Sequence, residues 1–159
     1  MRGDALSALN GFSEVVRLLS PLVFDAKEGP TREDGERLYK AALQPVAYFV
    51  KIRKFDRAKQ YVPNLLVIAD RMIASDSTEP DYLRWRADAQ LWSARVAIAS
   101  EAWPDGVKSL VHYVASTREV DRRIGSVGSR KELADALDLA RAMARPIPSS
   151  LQRDVNWTR

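Results

Sequence analysis

Lys54-Phe55-Asp56-Arg57-Ala58 and, 48 residues further on, Ala102-Trp103-Pro104-Asp105-Gly106 carry one pattern twice: an aromatic ring followed three positions later by a small side chain. Both stretches lie between long runs in which apolar residues recur every three or four positions, the spacing of one helix face. A ring plugs the bend between two helices, and a small residue beyond it lets their axes approach. Phe55, Ala58, Trp103 and Gly106 are therefore read as structural turn residues. No convincing apolar–polar alternation appears, so the chain reads all-α and built of antiparallel helical hairpins.

Working outward, a first helix is expected over residues 4–19, with Leu6, Leu9, Phe12, Val16 and Leu19 on one stripe. Pro21 is expected to stop it, with a loop through Gly29-Pro30. Thr31 with Asp34 caps a second helix reaching about residue 54, kinked at Pro45. A third covers about 56–74. Ser77-Thr78-Glu79-Pro80-Asp81 breaks the chain and starts a fourth helix over 81–102, since proline and acidic residues suit a first turn. A fifth ends near Ile124. Gly125 to Gly128 reads as a loop, and Ser129 with Glu132 as the capping box of a sixth helix reaching Ala144. Pro146 and Pro148 end that helix, and Ser149 with Gln152 reads as a box opening a seventh.

The fourth helix is apolar on two sides. Tyr82, Trp85, Ala89, Trp92, Val96 and Ala99 form one stripe, and Leu83, Ala87, Leu91, Ala94 and Ile98 another. The second helix is doubled likewise, with Leu43, Ala47 and Val50 beside its first stripe. Such helices need cover on two faces, which suits stacked hairpins better than a simple bundle. The expected organisation is one helical-repeat domain, with an N-terminal helix and loop (1–30), two hairpins (31–76 and 77–124) and a C-terminal helix and cap (125–159). An irregular helical bundle is the alternative.

Phe55-Asp56-Arg57-Ala58 resembles the turn between the A and B helices of the tetratricopeptide (TPR) family. Leu66-Val67-Ile68-Ala69-Asp70-Arg71-Met72 against Leu137-Asp138-Leu139-Ala140-Arg141-Ala142-Met143 is a second echo, each followed by a Pro-containing linker. The resemblance spans about residues 36–124. It is to divergent, expanded repeats like those appended to bacterial signalling and ATPase proteins. It implies an α-α superhelix whose A helices line a partner-binding groove. Positions matched from the two turn aromatics place Lys40, Gln44 and Lys51, with Ala47, on one groove wall. Asp88, Trp92 and Arg95, with Ile98, fall on the next. Cations around Trp92 would suit an acidic or C-terminal-carboxylate segment.

Composition narrows the chemistry. The 159 residues hold no cysteine and one histidine, which excludes thiolate catalysis, sulfur-ligated metals and any site built on two imidazoles. His112 has no His–acid motif around it, the serines lack a nucleophile elbow, and Gly125-Ser126-Val127-Gly128 is no phosphate loop. Glu132 and Asp135 read as a solvated helix face rather than metal ligands. No catalytic residue, metal or cofactor is expected. Net charge is +4. Basic residues gather as Lys51, Arg53, Lys54, Arg57 and Lys59, and again as Arg118, Arg122, Arg123, Arg130 and Lys131. Neither a secretory signal nor a membrane span is evident, so a cytoplasmic chain without a membrane partner is expected. The functional expectation is a non-catalytic scaffold or interaction module binding a protein or peptide. The alternatives are a nucleic-acid-associated protein using the basic clusters, or a regulatory subunit of a larger enzyme or signalling assembly.

Overall fold

The computed structural model describes the backbone of residues 2–27 and 29–152, and side chains from residue 11 onward. Within these residues the chain is all-helical: α1 (Arg2–Phe24), α2 (Arg32–Lys51), α3 (Phe55–Ser75), α4 (Pro80–Ala99), α5 (Trp103–Ile124), α6 (Val127–Ala144) and the single turn α7 (Ser149–Gln152). The contacts divide the chain into two compact units, Met1–Thr78 and Glu79–Arg159.

In the first unit α2 packs against both α1 and α3. Leu38, Val46, Leu65 and Met72 are completely buried, with Val23 from the end of α1 beside them in the core. Thr31 caps α2 as expected, its hydroxyl oxygen accepting from the Asp34 amide at 3.1 Å. Arg71 Nε donates to the Val23 carbonyl at 3.1 Å, tying α3 to the end of α1.

In the second unit α5 packs against α4 and α6. Ala94, Leu110, Val114, Leu137, Ala140, Ala144 and Ile147 form a buried cluster, with Trp103 and Ile98 packed on its edge. Helix α4 buries Leu83, Ala87, Leu91 and Ala94 on one side and Tyr82, Ala89 and Val96 on the other. It is therefore apolar on two faces, as its sequence indicates.

The two hairpin bends are the same structure. At the end of α2, the Arg53 amide donates to the Val50 carbonyl at 3.0 Å and the Lys54 amide to Phe49 at 2.8 Å. At the end of α4, Glu101 donates to Ile98 at 3.1 Å and Ala102 to Ala97 at 2.9 Å. Both are Schellman closures, and both hold a non-glycine residue left-handed, with φ 58 at Arg53 and at Glu101. Phe55 and Trp103 then occupy the first position of the next helix. Ala58 is fully buried in its unit. At Gly106 a Cβ would lie 2.8 Å from Ile98 Cγ1, which is why the smallest residue stands there.

Several boundaries differ from expectation. Pro21 does not stop α1, which continues to Phe24; a proline in the last turns forfeits one amide bond without ending the helix. The stripe residues Leu6 and Leu9 lie outside the described side chains. Helices α2 and α4 end at Lys51 and Ala99, because the left-handed residue two positions later terminates each. Helix α6 starts three residues early: Ser126 rather than Ser129 is its N-cap and Ser129 is its third residue, each hydroxyl accepting from the other's amide at 3.0 Å. Gln152 does not cap α7. Its side-chain amide instead donates to the carbonyls of Ala144 and Ile147. Of the matched positions in 66–72 and 137–143, Ala69 and Ala140 are both buried and Val67, Asp138, Asp70 and Arg141 are all exposed, while Ile68 and Met72 are buried where Leu139 and Met143 are half-buried.

Candidate functional site

Asp88, Trp92 and Arg95 occupy one face of α4 at spacings of four and three residues, the periodicity that aligns side chains along a helix. Asp88 and Trp92 are half-buried and Arg95 is exposed. The Arg95 guanidinium carbon lies 4.9 Å from the centre of the Trp92 ring, a cation–π arrangement that holds the cation over the indole. Tyr113 of α5 is also half-buried close by. Burial pushes its phenol above the ordinary value; the Arg95 charge opposes this, and Glu132, Asp88 and Asp135 reinforce it. Side chains of α4, α5 and α6 thus converge around two aromatic rings, with both signs of charge at the rim. Glu132 belongs to this surface because the Ser126–Ser129 box leaves its carboxylate uninvolved in capping. It accepts from Arg84 Nε at 3.1 Å and Arg84 Nη2 at 3.1 Å, while Arg84 Nη1 reaches Asp81 at 2.7 Å. The bond to Glu132 is the main cause of the raised Arg84 pKa; partial burial works against it and the bond to Asp81 reinforces it.

Lys40, Gln44 and Lys51 lie on one exposed face of α2 in the other unit. Lys40 pairs with Glu36 one turn away at 2.5 Å. Lys51 stands at the C-terminus of α2 beside the basic bend. The sequence-matched positions therefore form two triplets, one in each unit.

His112 is exposed and lines an open cleft of about 190 Å³ with Leu83, Arg86, Gln90, Ala115, Ser116 and Glu119. Sequence reading set His112 and Ser116 aside, yet they and Glu119 share one face of α5. The cleft is smaller than the roughly 300 Å³ at which small-molecule sites begin. Its carboxylate is also committed. Glu119 accepts from Arg122 Nε at 2.7 Å and Arg123 Nε at 2.8 Å, and these bonds hold its pKa down at about 2. It stays ionised and bound to its own helix rather than orienting the imidazole. Among the described residues no group of three His, Asp or Glu side chains is placed to hold a metal ion.

The two basic clusters differ. In the second, Arg122 and Arg123 are bound to Glu119, and Arg130 donates to the Gly125 carbonyl at 3.2 Å. In the first, Lys51, Arg53, Lys54 and Arg57 are all exposed around the α2–α3 bend. Trp85 is half-buried and packs against Tyr82 with the rings tilted at 52° and their centres 5.1 Å apart, as its place on the apolar stripe indicates. No described helix is long and apolar enough to cross a membrane. No protein-family model, curated protein or solved structure matches the chain.

Proposed function

We propose that this chain is a non-catalytic, TPR-like interaction module that binds a protein or peptide partner through the α4 face carrying Asp88, Trp92 and Arg95. The observation that carries this reading is the Arg95 guanidinium stacked 4.9 Å over a half-exposed Trp92. Tryptophan and arginine are the side chains most enriched among residues that dominate binding energy, and a pre-stacked pair loses little rotamer freedom on docking. Tyr113 supplies a second amphipathic ring. Asp88, Glu132 and Asp135 give the rim more negative charge than the cationic groove expected from sequence, so the segment bound there carries basic as well as acidic groups. Lys40, Gln44 and Lys51 form a second contact set on α2, open to substitution independently.

The test is affinity capture with the full chain, identifying by mass spectrometry what is retained by wild type and lost by Trp92→Ala/Arg95→Ala. A partner lost by that variant but kept by His112→Ala/Ser116→Ala, with helicity unchanged in both, supports the assignment. Equal retention by all three proteins contradicts it.

A further inference from the structure

The bend between α2 and α3 concentrates nearly all the excess charge of the molecule. Residues 51–59 hold Lys51, Arg53, Lys54, Arg57 and Lys59 against Asp56 alone, a net +4 that equals the charge of the entire chain; the other residues sum to zero. All six are exposed.

Cations at a helix C-terminus ordinarily have a structural explanation, because they complement the dipole. The second bend is an internal control on that explanation. It has the same Schellman bonds and the same left-handed residue, yet α4 has no basic residue in its last turn. Glu101 and Asp105 stand where Arg53 and Arg57 stand in the first bend. The same bend geometry is therefore adopted with the opposite charge, and the cations are not a requirement of that geometry.

We propose that the α2–α3 bend is a docking surface for the phosphate backbone of duplex nucleic acid, recognised without regard to sequence. Five cations within nine residues match a polymer presenting one charge per roughly 1.7 Å of helix axis. The only ring in the stretch, Phe55, is half-buried, so it offers no open platform for stacking single-stranded bases. An acidic peptide presents a sparser charge, and a lipid surface would be met by Ile52 as the lone exposed apolar side chain of the bend. This surface lies in a different unit from Trp92 and does not rest on the α4 face, although it shares Lys51 with the second contact set on α2.

The test is fluorescence anisotropy of the full chain with a mixed-sequence 20-base-pair duplex between 50 and 200 mM salt. Four or so phosphate contacts give a slope of log affinity against log salt of roughly −3 to −4, about a hundredfold loss across that range. Replacing Lys51, Lys54 and Arg57 by glutamine, with Arg53 kept to preserve the bend, should cost at least about tenfold at 50 mM and flatten the slope towards −1. Lys27→Gln/Lys108→Gln/Arg145→Gln, which removes three exposed charges outside both basic clusters, should leave both quantities unchanged. If the first triple variant loses helicity, the single Lys54→Glu variant replaces it, with about tenfold weaker binding expected. The proposal is overturned by no duplex binding at 50 mM salt, by equal losses in the two triple variants, or by unchanged affinity in Lys54→Glu. Tighter binding to phosphatidylserine vesicles or to polyglutamate than to the duplex overturns it as well.

Discussion

Arg53 and Glu101 show what a single residue contributes to this fold. A left-handed conformation costs a non-glycine residue roughly 1–2 kcal/mol, and each of these persists because two backbone bonds close around it. The cost recurs at equivalent positions with opposite side-chain charges, so the constraint is the bend itself. Gly106 shows the complementary constraint. Gly106→Ala gains about 1 kcal/mol of helix propensity. It also drives a Cβ to within 2.8 Å of Ile98 Cγ1 at the edge of the core, and overpacking of this kind costs roughly 1–3 kcal/mol. We expect a net destabilisation of about 1 kcal/mol, read as a lower urea midpoint at unchanged slope; increased stability would mean that Ile98 moves aside freely. The aromatic–small pattern that marks both bends was legible in the sequence. The left-handed residues were not, because Arg and Glu give no signal where glycine is the usual marker.

At the scale of elements, the helices themselves were readable from apolar period and start chemistry, and their ends were less so. The start of α6 illustrates why. Ser126 and Ser129 offer the same cap chemistry as Ser129 and Glu132, and Asp121 on α5 decides between them by accepting from the Ser129 hydroxyl at 2.7 Å. That bond is tertiary, and local sequence does not encode it. The choice releases Glu132 to Arg84, which links α6 to α4 and brings Glu132 onto the face proposed to bind a partner. The end of α5 carries its own charge device. Glu119 is ordinarily protonated near pH 4.5, but its bonds to Arg122 and Arg123 lower that to about 2 in the folded chain. A depressed carboxylate pKa stabilises the folded state above the unfolded value and loses that effect as pH falls through the folded one. We therefore expect wild type to melt higher than Glu119→Gln at pH 6 and the difference to shrink between about pH 4.5 and 2. A difference that stays constant over that window would exclude the Glu119 pairing as its source.

At the scale of the molecule, two helical units each hold a buried core, and one bend geometry appears once in each. The α4 face was legible only through its resemblance to a helical repeat, which aligns Asp88, Trp92 and Arg95 with a groove wall. The contribution of Tyr113 and of the α6 carboxylates was not legible, because it depends on how α5 and α6 pack beside α4. The basic bend was visible as a charge cluster, and only the matching acidic bend separates it from ordinary helix-end chemistry. All of these readings require that residues 49–58 and 97–106 adopt the same backbone. Backbone assignment by NMR with amide hydrogen exchange tests this most directly. Arg53 and Glu101 should both show positive φ, and the Lys54 and Ala102 amides should both be protected by their bonds to Phe49 and Ala97. Right-handed helical φ at either residue, or free exchange at either amide, would contradict the account.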